Sequence, residues 1–377
     1  MIEKNKKILM VFIEPTPYIM DLLEKGFSHI KNQMDIIFLS ENLTQQWILK
    51  SYSFSFQVVR SRKKIFQLLL DVFIKRKYQL LHLAGWSKPL ILFLILMSRF
   101  FFLSVTVESD TPLKKNLPLI KKIIKKCLYP ILFKFPARFL PGGTRQAKYL
   151  SHYGVKNKKI INVQMTVDVE YINNYVNNID ALVREEVRLK NGAINNDIVF
   201  LFVGRLLKLK GIQELISAIQ LIQDYRVKLW IVGDGYLIDE VQKATQEYKK
   251  IKYLSSVGGD DLWSTYHAAD VFVLPSDGDN WGLVVNEAMA AGKPVIVSDR
   301  VGCVDDLVTH GREGLIIQSR NVNSIFQAVN FMLSNPEKRR EMGKHAVERI
   351  AHWTLKNEAN NMMMAWEKSG WKKNAYS

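Results

Sequence analysis

At 377 residues the chain is longer than one hydrophobic core organises, so two domains are expected. Its 48% hydrophobic and 24% charged residues are those of an ordinary globular protein and exclude a disordered or low-complexity chain. The formal charge of +17 is lopsided: residues 1–170 carry 28 Lys and Arg against 11 Asp and Glu, whereas residues 171–377 carry 25 of each.

Residues 7–13 read as a first β-strand. Their apolar run is too short for a signal-peptide core. A helix is expected over 18–30 and a strand over 34–39, then a strand over 56–60, a helix near 64–75 and a strand over 78–83. The turn Glu14-Pro15-Thr16-Pro17-Tyr18 is rigid and suits an acceptor site with Tyr18 at its edge. Residues 90–107 tempt a membrane-spanning reading, but Arg99, Ser98 and Ser104 interrupt them, and a span needs about 20 mainly apolar residues. A buried helix over 87–99 and a buried strand over 101–107 fit better. That strand runs into Glu108-Ser109-Asp110-Thr111, where Glu108 or Asp110 would face the cleft, or Ser109 or Asp110 would cap the next segment.

From 111 to 167 there is no Asp or Glu against 13 Lys or Arg. Within this span, residues 116–133 form a helical pattern. Leu119, Ile120, Ile123, Ile124, Cys127, Leu128 and Ile131 mark one face, with Lys121, Lys122, Lys125 and Lys126 opposite and Lys114 and Lys115 upstream. Such a helix either packs on a sheet with solvated lysines or lies on an anionic membrane, where each lysine contributes about 1 kcal/mol. The acid-free surroundings favour the membrane. After a strand at 137–140, Gly142-Gly143-Thr144-Arg145 starts a helix that Thr144 would cap, placing Arg145 near a phosphate.

An Asn-rich, charged stretch at 173–196 is expected to hold the linker. The second half then alternates more cleanly: strands at 198–203, 228–232, 251–254, 271–274, 294–297 and 314–317, with helices at 212–222, 237–249, 261–269, 283–291 and beyond 322. Strand–helix alternation argues for parallel sheets in doubly wound domains, with ligands beyond the carboxyl ends of the strands. The expected domains are 1–175 and 176–355, with 356–377 a C-terminal helix that can cross back to the first. Cys127 and Cys303 lie far apart and offer no metal spacing, which fits a reducing cytoplasm without disulfides.

Chemistry concentrates in two loops. Strand 198–203 exits through Gly204-Arg205 to Lys210-Gly211. Arg205 suits bidentate phosphate contact and Lys210 a point charge, together the cations a diphosphate leaving group needs. Strand 271–274 runs into Pro275-Ser276-Asp277-Gly278-Asp279-Asn280 and then a helix. Unpaired amides at a helix start, here those of Gly282 and Leu283, bind anions, and flanking carboxylates accept hydrogen bonds from sugar hydroxyls. That combination suggests a sugar nucleotide.

Residues 281–295 read Trp-Gly-Leu-Val-Val-Asn-Glu-Ala-Met-Ala-Ala-Gly-Lys-Pro-Val. With Asp279 seven residues ahead of Glu287, the segment resembles the E-x7-E signature of retaining glycosyltransferases of family 4, which have the GT-B fold. It departs at the first acid, Asp279 in place of Glu. The Gly-Arg-(x4)-Lys-Gly string resembles the family's diphosphate pair, Gly233-Asp234-Gly235 a loop on the nucleotide side, and residues 141–146 a cleft segment. The resemblance implies two Rossmann-like domains facing a central cleft, with Glu287 on the nucleotide ribose, Asp279 on the donor sugar and the base near Val257. In related enzymes the residue at the end of the strand that closes on Glu108 is frequently His, so the catalytic contact here falls to Glu108 or Asp110.

The implied activity is transfer of a hexosyl unit, with retention, from a nucleotide diphosphate sugar to a lipid-linked or membrane-proximal glycan acceptor at the inner face of the cell membrane. No metal or other cofactor is expected, since Arg205 and Lys210 take the place of a divalent ion. No obligate protein partner is evident. Two alternatives stand beside it: a sugar-nucleotide epimerase of the same fold, and a basic nucleic-acid-binding protein. The latter lacks a recognition motif, and its lysines accompany aliphatic residues rather than stacking aromatics.

Overall fold

The computed structural model describes residues 7–41, 51–113 and 118–372. The chain divides into two compact units, one of residues 1–167 with 355–377, the other of 168–354.

The first unit is a six-stranded sheet: β1 (Lys7–Phe12), β2 (Met34–Phe38), β3 (Phe56–Val58), β4 (Tyr78–Leu83), β5 (Ser104–Ser109) and β6 (Arg138–Pro141). All pairings are parallel and the order is β3-β2-β1-β4-β5-β6. The chain moves outward from β1 to β3, then returns to β4 on the other side. A switch point therefore lies between β1 and β4, where ligands bind in such sheets. One sheet face is covered partly by the helix Leu355–Glu367, whose Leu355, Ala359, Met362, Ala365 and Trp366 are buried in this unit's core. Gly26 admits that helix, because a Cβ there would lie 2.8 Å from Ala359 Cβ.

The second unit repeats the plan with β7 (Ile198–Val203), β8 (Val227–Val232), β9 (Ile251–Tyr253), β10 (Val271–Leu274), β11 (Val295–Ser298) and β12 (Gly314–Ile317). Its order is β12-β11-β10-β7-β8-β9, again wholly parallel, with the switch point between β7 and β10. Strands covered on both faces read as unbroken apolar runs, and Ile-Val-Phe-Leu-Phe-Val of β7 is buried throughout. The strand–helix alternation expected from the sequence is thus found in both halves.

Three local expectations need correction. The stretch at 173–196 is no linker: helices Val169–Asn178 and Ala181–Lys190 occupy most of it, with Asp168 and Asp180 accepting bonds from backbone N–H groups at their starts. The signal was masked because the exposed faces are Asn-rich, while the anchor is a single buried cation. Arg188 donates to the carbonyls of Ala268 (2.9 Å) and Asp197 (2.5 Å) and pairs with Asp270 at 3.1 Å. Second, β5 begins at Ser104 rather than 101. Phe100 and Phe102 stand in a turn after helix Pro89–Ser98, and Phe102, at φ 53, is 90% exposed. Third, Gly143 rather than Thr144 holds the cap position of helix Thr144–His152.

Among the described residues, no helix is long and apolar enough to cross a membrane. The basic helix spans Leu119–Leu132 and buries none of its residues fully. Residues 114–117, including Lys114 and Lys115, lie outside the described residues.

Candidate functional site

At the switch point of the second unit, backbone packs on backbone. Gly204 ends β7 and donates to Val232 O at 3.0 Å, and Leu206 N donates to Asp234 O at 2.7 Å. Gly233 takes φ 143, and a Cβ there would lie 1.9 Å from Gly204 O. No other residue fits, so Gly233-Asp234-Gly235 is a built contact rather than an incidental turn. Arg205 projects from this junction into solvent, whereas Lys210, at the end of a 3-10 turn, is largely covered.

The β10 loop meets the same turn. Asp277 N donates to Leu209 O at 2.8 Å, Ser276 Oγ donates to Leu209 O at 3.0 Å, and Ser298 Oγ donates to Ser276 O. These bonds bring together residues 69 apart in sequence: Lys210 Nζ forms an ion pair with Asp279. Gly302 N donates to Asp279 O at 3.0 Å and holds the acid's backbone from the far side. Gly282, at φ 98, caps helix Leu283–Ala290, so the helix start, with its unsatisfied amides, follows Asp279 within a few residues. Trp281 is buried just before it, its indole N–H donating to Asn286 Oδ1 at 3.1 Å.

Glu287 lies in the second turn of this helix and accepts from Tyr266 Oη at 2.8 Å. Burial pushes its carboxyl up to about 7, against the smaller opposing effect of the Tyr266 bond. Burial and the Glu287 carboxyl together hold the Tyr266 phenol well above its usual range. No local pattern in the sequence singles out Tyr266; only the packing of helix Asp260–Ala268 shows it. Val257 lies half-exposed in the loop after β9, whose Ser255 carbonyl accepts from Gly233 N at 3.0 Å. The second unit therefore assembles Gly204, Lys210, Asp279, Gly282 and Leu283 around one strand-end junction, with Arg205 exposed at its rim.

The first unit has a cavity of about 410 Å³, and every wall of it belongs to that unit. It sits at the carboxyl ends of β1, β4, β5 and β6, and Tyr18, Glu108 and Asp110 all line it. Thr144 and Arg145 are not part of its wall; Gly142 is. Burial raises the Tyr18 phenol, and the nearby Asp110, Glu108 and Glu358 carboxylates raise it further. Glu358, from the C-terminal helix, accepts from Thr166 N at 3.2 Å. Burial and the Glu108 charge push its carboxyl well above the ordinary range.

Lys125 departs from its expected place. Its ammonium donates to Tyr149 Oη at 3.2 Å and lies 5.5 Å over the Tyr129 ring, inside the cavity wall rather than on a membrane-facing side. Lys121, Lys122 and Lys126 are exposed. So are Leu119, Ile120, Ile123, Ile124, Leu128 and Ile131, at 49% to 72%. Among the described residues no group of three or more His, Cys, Asp and Glu side chains has the arrangement of a metal site.

Residues 183–349 match the protein family described as Glycosyl transferases group 1, and they form a domain of that kind. An uncharacterized glycosyltransferase of Methanocaldococcus jannaschii is 36% identical over 148 residues, 38% of each chain. An N,N'-diacetylbacillosaminyl-diphospho-undecaprenol alpha-1,3-N-acetylgalactosaminyltransferase of Campylobacter jejuni is 25% identical over 63% of this chain and 61% of its own. The chain thus spans less than two thirds of the length of these relatives. Among solved structures, Anabaena HepE in complex with UDP superimposes with a TM-score of 0.76 at 15% identity, covering 97% of this chain and all of that one. The fold is GT-B.

Proposed function

We propose that the chain is a retaining glycosyltransferase that moves a hexosyl unit from a nucleotide diphosphate sugar to a lipid-linked or membrane-proximal glycan. The observation that carries this reading is the junction of β7 and β10, where Lys210, Asp279 and the amides of Gly282 and Leu283 meet in one place. As the bond from sugar to diphosphate breaks, negative charge grows on the leaving oxygens. Cations and amides already in place stabilise that state more than the ground state. Lys210 and Arg205 bind the diphosphate, Asp279 and Glu287 accept from sugar and ribose hydroxyls, and the base lies toward Val257. Lys210 is shared: its pairing with Asp279 positions both groups for the donor.

No nucleophile is assigned, so departure and attack occur on one face of the sugar, with the diphosphate oxygen taking the acceptor's proton. The residues present fit a site that works without a divalent ion, because the two cations already supply the compensating charge. Support for the donor class comes from the group 1 domain and from the UDP that HepE holds. A lipid-linked acceptor is supported by the activity for which the Campylobacter relative is named.

The basic helix supports attachment to an anionic membrane from the cytoplasmic side. Its six exposed aliphatic residues have no place in the unit's core, and Lys121, Lys122 and Lys126 border them. Calorimetric titration with UDP and GDP, followed by assay of nucleotide release from a panel of sugar nucleotides, tests the donor assignment. Wild type should bind one diphosphate and release it on turnover, while Lys210→Ala and Glu287→Ala remain folded and lose most of that release. Full turnover in both variants refutes it.

A further inference from the structure

The first unit's cavity contains an arrangement that donor chemistry does not use. His82 sits on β4 between Leu81 and Leu83 and is fully buried. Its Nδ1 lies 3.1 Å from Trp366 Nε1 and 3.0 Å from Thr106 Oγ1, and its Nε2 lies 3.0 Å from Glu108 Oε1. An indole N–H only donates, so Nδ1 must accept, and the ring proton is on Nε2. Nε2 then donates to Glu108. A buried indole from the C-terminal helix thus fixes the imidazole tautomer, and the imidazole fixes one oxygen of a carboxylate at the cavity wall.

The rest of the wall shows what that carboxylate meets. Glu14, Glu108, Asp110 and Glu358 line the cavity, and Lys125 is its one Lys or Arg among the described residues. Lys125 is already engaged by Tyr149 and Tyr129. Among the described residues a phosphate or carboxylate entering here would meet like charge and no uncommitted cation, which disfavours it. The Ser109 hydroxyl, in a residue 5% exposed on the same wall, has no hydrogen-bond partner among the described residues. A buried polar atom of that kind awaits a ligand group. The volume falls in the range of small-molecule sites, and Trp86 and Tyr129 add aromatic surface.

We propose that this cavity takes the uncharged, hydroxyl-rich ring of the acceptor sugar. Glu108 accepts a hydroxyl hydrogen bond from it, and His82 acts as a positioning residue that aims Glu108 and is itself set by Trp366. This rests on the glycosyltransferase reading. It adds that any phosphate of a lipid-linked acceptor stays outside the cavity, and that the last helix of the chain belongs to the acceptor site.

Saturation-transfer NMR on the full chain tests it, using the methyl glycosides of glucose, galactose, mannose and N-acetylglucosamine beside glucose 6-phosphate and glucuronic acid. At least one neutral glycoside should receive saturation more strongly than either anionic sugar. Glu108→Gln, which preserves shape, should weaken that glycoside about tenfold or more while leaving UDP or GDP binding unchanged. His82→Phe should match that loss, and His82→Gln, which keeps an N–H donor, should recover part of it. A merely structural role for His82 predicts no such rescue. The nitrogen spectrum of labelled histidine should place the His82 proton on Nε2.

No neutral glycoside bound, preference for an anionic sugar, an unchanged Glu108→Gln, or a proton on Nδ1 would each overturn the proposal. Should His82→Phe fail to fold, Glu108→Gln and the spectrum decide alone. If wild type binds neither UDP nor GDP, the donor reading fails, and glycoside binding still judges the cavity separately.

Discussion

Two sheets of the same topology present opposite chemistry at their carboxyl ends. The second unit offers Lys210, Arg205 and the open amides of a helix start. The first offers four carboxyl groups around a cavity whose one Lys or Arg among the described residues is already engaged. Sequence charge runs the other way: the excess of +17 lies within residues 1–170, while residues 171–377 balance. Net charge therefore reports on a unit's outer surface and says little about its pocket. Most lysines of the first unit are exposed, Lys125 being an exception, whereas four of its carboxyl groups gather at the strand-end cavity.

The largest expected effect breaks the cationic side of this contrast. Lys210→Ala should lower nucleotide release about a hundredfold or more, the usual cost of removing one group that stabilises developing charge. A matching loss in Asp279→Asn would tie the pair together, since each holds the other. A change under about threefold in Lys210→Ala would place the diphosphate elsewhere.

Backbone geometry comes next. Gly233→Ala puts a Cβ 1.9 Å from a carbonyl oxygen at φ 143. The loops must separate, and a loss of about 3 kcal/mol or more is expected in denaturant unfolding. Gly311→Ala also has positive φ, at 84, but nothing within 4 Å of the added atom, so it should cost clearly less. Equal losses would show that conformational strain alone, and not the packing of the two loops, sets the effect.

The acid shared by structure and binding gives a pH test. Glu287 has a carboxyl raised to about 7 by burial. Its folded value lies above the unfolded one, so its contribution to stability is full below the ordinary carboxyl range and is lost as pH rises through 7. Binding runs in the opposite sense, because the ionised form accepts from both ribose hydroxyls. UDP affinity should fall about tenfold from pH 8 to pH 6, and nucleotide binding near pH 7 should release a proton. Titration in buffers of different ionisation enthalpy measures both, and Glu287→Gln should flatten the profile. An affinity that rises toward pH 6 would assign the ribose to another group.

The smallest effect concerns the outside of the first unit. Lys121→Gln, Lys122→Gln and Lys126→Gln should each weaken sedimentation with phosphatidylserine vesicles by about 1 kcal/mol, and Lys125→Gln by much less. Ile120→Asp, at a residue 71% exposed, should weaken it without altering thermal stability. Equal behaviour of all four lysines would contradict the inward turn of Lys125.

How much of this was legible in the sequence follows from range. The strands were plain because both faces of each sheet are covered, so β7, β8, β10 and β11 read as apolar runs. The β10 loop and its helix were plain because local order carries them: Asp279, Gly282 and Glu287 fall within nine residues. The first unit's cavity was legible only in part: Tyr18, Glu108 and Asp110 line it as expected, but its other parts come from four strand ends and the last helix. Trp366 and His82 are 284 positions apart, and Thr166 and Glu358 are 192 apart. The one available signal was a histidine among the leucines of Tyr-Gln-Leu-Leu-His-Leu, a position that calls for a buried polar partner. Lys125 could not be separated from its neighbours, since helical spacing placed all four lysines on one side. Tyr149 and Tyr129 decide which of them turns inward.

The central claim is that the second unit grips an activated sugar by its leaving group at the β7–β10 junction. A crystal structure of the chain with bound UDP or GDP measures it directly. The diphosphate is predicted within hydrogen-bond distance of Lys210 Nζ and the amides of Gly282 and Leu283, with the ribose on Glu287. A nucleotide bound at full occupancy away from those groups would contradict the account.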